Sequence, residues 1–145
     1  MPTPEVHRRA RSDAGRPFLT LPDAVAALAS LAPLDRPATI CLTLDDDRRP
    51  LGSYVVDHGR LGNDSDAVLR VAEDLAEIVA VAYDVGSIVL ASVRPGEPCG
   101  PDDSARLLEL TMLFDGVGVD LLEWLVVHPS GIVNVREASG EPSRW

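Results

Sequence analysis

The chain has 145 residues, a length that suits one domain. Hydrophobic residues make up 46% and charged residues 25%, which is enough apolar material for a core and argues against wholesale disorder, while no apolar run reaches the ~18–20 residues of a membrane-spanning helix. Acids outnumber bases 23 to 13, for a net charge of −10, and every base is an arginine because the chain contains no lysine.

Residues 1–18 carry Arg8, Arg9, Arg11 and Arg16 against Glu5 and Asp13, a balance of +2 that leaves −12 for the rest. They read as a disordered leader ahead of a single domain over 19–138, with 139–145 as a flexible tail. Met1 to Pro17 holds no apolar signal core, so export is not expected and the expected location is cytoplasmic. An acidic body repels phosphate backbones, so nucleic acid is not an expected partner. Neither is a membrane.

A first helix is expected with Thr20 as N-cap, Pro22 in its first turn and Ala24 to Leu31 as apolar formers. Pro33 and Pro37 end it. Ile40, Leu42 and Leu44 then alternate with small or polar neighbours at the strand period. Asp45 to Pro50 is a polar turn, and Leu51 to Asp57 reads as the returning strand. Asp64-Ser65-Asp66 precedes a long amphipathic stretch to Ala82. Its apolar face holds Val68, Val71, Leu75, Ile78 and Ala82, and Glu73, Asp74 and Glu77 lie away from that face. This acidic side is a solvated outer face or a docking surface.

Ser87 to Ala91 is a short run of buried-strand type. Arg94 to Pro101 is too rich in Pro and Gly for regular structure. Asp102 or Asp103 can cap a helix running to about Phe114, stopped by Gly116 and Gly118. Leu121 to Val127 and Ile132 to Arg136 are β-rich runs around His128-Pro129-Ser130-Gly131, a hairpin signature. The order is α-β-β-α-β-α-β-β, and the expected class is α/β (α+β), a mixed β-sheet packed against helices.

From about Ala38 to Glu137 this order resembles the JAB/MPN fold, a cytidine-deaminase-like architecture, in its bacterial RadC-like form. Glu109-Leu110-Thr111 is similar to that family's E-L-T-like helical segment. Gly118 to Val127 is similar to its G-[IV]-x-L-[LV]-D-H-[IL]-[IV]-V strand. Ser87 to Ala91, followed by Ser92-Val93-Arg94-Pro95, stands where members place an apolar strand before H-N-H-P-S-G. The resemblance implies a zinc hydrolase site with two His, one Asp and a water, served by a Glu base from an early strand and a Ser that steadies the oxyanion.

The metal-binding motif is degenerate here. The two His positions fall on Ser92 and Arg94, with Pro95 retained. The Asp position falls near Ala105, or on Arg106 or Leu107. The strand Leu51 to Val56 contains no Glu. An arginine at a ligand position puts a fixed positive charge where a dication would sit. The expectation is therefore a non-catalytic domain with no cofactor, acting as an interaction or assembly module. Its partner would be a second copy or another MPN-like protein. Arg94 either pairs with Asp102 or Asp103 or belongs to a set of solvated loop charges.

Other candidates are weaker. His128 sits in hairpin chemistry without a second His nearby. Ser92 or Cys99 could be a nucleophile only with a base in reach, and no G-x-S-x-G elbow supplies one. No G-K-[ST] phosphate loop is present. Cys41 lies in an apolar run and Cys99 in a loop, which makes no disulfide framework. Trp124 reads as core. Trp145 is an aromatic that could anchor in a partner.

Overall fold

The computed structural model describes residues 6–10, 21–59, 65–82, 84–96, 100 and 102–145. Ten elements follow in chain order: β1 (Val6–Ala10), α1 (Leu21–Leu31), β2 (Ala38–Leu44), β3 (Pro50–Asp57), α2 (Ser65–Ala80), β4 (Ser87–Val93), α3 (Asp103–Asp115), β5 (Asp120–His128), β6 (Gly131–Asn134) and α4 (Val135–Ala138). These six strands form one sheet in the order β1-β3-β2-β4-β5-β6. Among them β4 and β5 run parallel and the other neighbours antiparallel, and α3 makes the crossover between β4 and β5. The mixed α/β class expected from the residues is what the fold shows.

The middle of the sheet is buried on both faces, as the near-continuous apolar runs of β2, β4 and β5 require. Helices α2 and α3 cover one face, over Ile88, Leu90, Leu121, Trp124 and Val126. Helix α1 covers the other through Ala24 and Leu28, against Ile40, Leu42, Val89, Leu122 and Leu125. The result is three layers, helix on sheet on helix.

Strand β5 contains a β-bulge that resets which side chains face which helix layer. Ile88 pairs with Leu121, but Val89 pairs with Glu123, so Leu122 is an extra residue. Leu121 stays on the α2/α3 face, and Leu122 packs on the α1 face with Val89. Glu123, as the partner of Val89, falls on the α1 face too. A single inserted residue thus places two consecutive side chains on one side of the sheet.

Helix α3 ends where its glycines require. The Val119 N–H reaches the Phe114 carbonyl at 3.0 Å, and the Gly118 N–H reaches Asp115 at 3.1 Å. Gly118 has φ +77°, the left-handed cap of a Schellman motif. Phe114 and Val119 close it in the same core cluster.

Three expectations are corrected. Residues 1–18 are not wholly an unstructured leader: Val6–Ala10 add an edge strand antiparallel to β3, with Val6 opposite Val56 and Ala10 opposite Gly52. The last strand does not run to Arg136. The Asn134 side chain accepts the Glu137 N–H and starts α4, so Val135 and Arg136 are helical. Residues 139–145 are not a loose tail. Ser143 donates to Glu123 at 2.7 Å, the Arg144 carbonyl accepts from Arg48 at 3.2 Å, and the Trp145 ring lies 5.3 Å from the Arg48 guanidinium carbon. Thr20, Asp64 and Cys99 lie outside the described residues.

Leu110 is wholly buried under α3, whereas Leu108 on its outer face is 57% exposed. Leu110→Ala is expected to lower the unfolding free energy by about 2–5 kcal/mol in chemical denaturation. Leu108→Ala is expected to change it by under about 0.5 kcal/mol. Equal effects would contradict this placement of α3.

Candidate functional site

The end of β4 and the start of α3 meet over the α2/α3 face of the sheet. Arg94 follows β4 directly, and its backbone N–H still bonds the Val127 carbonyl at 2.9 Å, which keeps it in line with β5. Helix α3 opens with Asp103. Arg94 Nη1 donates to Asp103 Oδ2 and Nη2 to Oδ1, both at 2.8 Å. This is a bidentate pair in which guanidinium and carboxylate match edge to edge. The Gly100 N–H adds a third bond to Oδ2 at 2.6 Å.

The pair continues inward. The Arg94 guanidinium carbon lies 5.6 Å from the centre of the Trp124 ring, within cation–π range. The Trp124 indole N–H donates to Ser92 Oγ at 2.9 Å. Ser92, Arg94, Asp103 and Trp124 are each 5% exposed or less. A charge so deeply withdrawn from water is tolerated only when paired and hydrogen-bonded. Of the two readings open for Arg94, the structure takes the pairing, with Asp103 and not Asp102.

Burial alone pushes the Asp103 carboxyl up. The Arg94 hydrogen bonds, the Gly100 N–H and the Arg94 charge together outweigh it and hold the group below the usual carboxylate range.

The remaining expected site positions are scattered. Pro95 is half-buried, and Asp102 is exposed at the helix N-cap with no side-chain capping bond. Ala105 is exposed on the outer face of α3. His128 bonds Ser130 Oγ at 2.6 Å and the Gly96 carbonyl, so it braces the β5–β6 hairpin against the loop after β4. Glu73, Asp74 and Glu77 form the exposed side of α2. Trp145, expected as an exposed anchor, instead packs partly buried on the α1-side core. Cys41 is wholly buried in β2, and loss of solvent pushes its thiol up to about 12, which removes it as a nucleophile at neutral pH.

A second buried charge cluster has no counterpart among the expectations from sequence. Glu123 in β5 is fully buried, and Arg136 at the start of α4 is 3% exposed. Arg136 donates to the Leu122 carbonyl at 3.2 Å, the Leu121 carbonyl at 3.3 Å and Glu141 at 3.0 Å. Its Nε lies 3.8 Å from Glu123 Oε2, an ion pair without a hydrogen bond. The one local signal was the acid inside the run Leu121 to Val127, since a buried charge needs a partner.

No protein-family model matches the chain, and no curated protein matches it. Among the described residues, no group of three or more His, Cys, Asp or Glu side chains is arranged to hold a metal ion. None of the helices in them is long and apolar enough to cross a membrane.

Arg94→Ala strands the Asp103 carboxylate and is expected to cost about 3–5 kcal/mol of stability. The pair also shapes the acid limb of stability. Because the folded carboxyl is lowered, its contribution is complete above its unfolded value of about 4 and is lost as pH falls through the folded value. In pH-dependent denaturation Asp103→Asn should flatten the stability loss below about pH 4 relative to the parent chain. A parent-like slope in that variant would contradict the assignment.

Proposed function

We propose that the chain is a JAB/MPN-like domain of the RadC-like type that has given up its metal site and serves in the cytoplasm as a non-catalytic interaction or assembly module. The observation that carries this reading is the buried Arg94–Asp103 pair. In the resemblance, the second zinc-binding His falls on Arg94. A guanidinium has no lone pair to offer a metal and brings a permanent charge of the wrong sign.

The surrounding residues point the same way. From α1 to β6 the element order is the α-β-β-α-β-α-β-β read from the residues, on which the resemblance rests from about Ala38 onward. Ser92, at the first His position, is buried and already accepts the Trp124 indole N–H. The Asp position falls near Ala105, which presents a methyl group to solvent, or on Arg106 or Leu107, neither of them a carboxylate. Strand β3 contains no Glu. Both Asp103 oxygens are engaged by Arg94, and one of them also by Gly100. These residues do not fit zinc.

A hydrolase built on Ser92 finds no support either, since among the described residues its hydroxyl bonds the Trp124 indole N–H and not a general base. The partner in this reading is a second copy or another MPN-like protein, with the exposed acidic side of α2 as the available face. The −12 charge on the chain after residue 18 keeps nucleic acid off the list of partners.

Reconstitution with excess zinc followed by desalting should leave metal far below one ion per chain by elemental analysis. Sedimentation velocity over a concentration series should show self-association or, with an MPN-like partner added, a mixed complex. Stoichiometric zinc that disappears on Asp102→Ala or His128→Ala substitution would overturn the proposal.

A further inference from the structure

On the opposite face of the sheet from Arg94, a pocket of about 180 Å³ opens between the start of α1, the bulged part of β5 and α4. Leu21 supplies an apolar wall. Glu123, Asn134, Arg136, Glu137, Glu141 and Ser143 complete its described lining. Among the described lining residues, three carboxylates stand against one guanidinium, a formal charge of −2 that disfavours an anion there and favours a cation.

Glu123 adds what a surface acidic patch lacks. It is wholly buried, the bulge turns it to this face, and one of its two oxygens is hydrogen-bonded. Oε1 accepts from Ser143, while Oε2 has no hydrogen-bond partner among the described residues and sees Arg136 only at 3.8 Å. Arg136 is committed elsewhere, to two backbone carbonyls and Glu141. A buried carboxylate oxygen left without a donor is costly, and a ligand bringing an N–H would relieve it. The described residues offer no set of metal ligands, so the group this oxygen calls for is an N–H donor and not a bare ion.

We infer that this pocket binds a small organic cation carrying N–H donors, an alkylammonium or alkylguanidinium head, with Glu123 as its principal acceptor, Glu137 and Glu141 supplying charge, and Leu21 in contact with its alkyl part. This site shares no residue with the Arg94–Asp103 pair and stands whether or not the chain is a JAB/MPN-like module.

The test uses the full chain and two probes at equal ionic strength, n-propylammonium and tetramethylammonium chloride, followed by ligand-observed NMR and thermal shift. Propylammonium is expected to bind and to raise the melting temperature. Tetramethylammonium, with the same charge and no N–H, is expected to bind at least about tenfold more weakly. Glu123→Gln should abolish propylammonium binding. Should that variant not fold, Glu141→Gln serves, because Glu141 is half exposed. It should weaken binding several-fold by removing one of the three negative charges. Equal binding of the two cations, no binding of either, or unchanged affinity in the variants would overturn the inference.

Discussion

Arg94 carries a positive charge, and the fold takes it out of water. That one constraint organises the α2/α3 side of the sheet. The carboxylate that fits its fork from the same face is Asp103, so the end of β4 and the beginning of α3 are held at hydrogen-bond distance. Trp124 then fills the space beneath the guanidinium and gives its own N–H to Ser92. A polar chain thereby runs from helix to sheet interior, each group in contact with the next. Buried polar groups linked in this way tie a core to a single arrangement, because any other packing would strand a charge or a donor.

The two faces of the sheet treat charge differently. On the α2/α3 side the pair is symmetric and closed, with two parallel hydrogen bonds. On the α1 side Glu123 and Arg136 stand close but slightly apart, and each is bonded to other groups. The bulge in β5 is responsible for that second arrangement. Without the bulge, regular alternation from Leu121 would pair Leu122 with Val89 and turn the acid to the α2/α3 face. Electrostatics on this side therefore depend on a backbone irregularity, and on the other side they stem from regular strand alternation.

Much of this architecture was legible in the residues. The alternation of Ile40, Leu42 and Leu44, the helical apolar face from Val68 to Leu75, and the His128 to Gly131 hairpin each carry a period or turn chemistry that survives in the fold. What escaped has physical reasons. Strand β1 reads Val-His-Arg-Arg-Ala, which has no apolar alternation, because an edge strand held by backbone pairing needs none. Val135 and Arg136 look like strand residues, but the Asn134 side chain caps the turn that contains them and makes it helical. The pairing of Arg94 was legible as one of two options, and burial decided between them. The Glu123–Arg136 cluster was not legible, since neither the bulge nor the return of residues 141–143 leaves a local pattern.

Residues 141–145 join parts of the molecule that are far apart along the chain. Glu141 meets Arg136, Ser143 meets Glu123, and Arg144 meets Asp115. The Arg144 carbonyl and the Trp145 ring meet Arg48, in the turn between β2 and β3, and the first of these contacts spans a sequence separation of 96 residues. Contacts of such long range carry a large loop-closure entropy unless intervening elements have already brought the ends together. The segment's partners lie on the β2–β3 turn and on β5, so its hold depends on both being in the sheet. The segment therefore acts as a latch across the sheet, and cutting it would release several distant elements from one another at once.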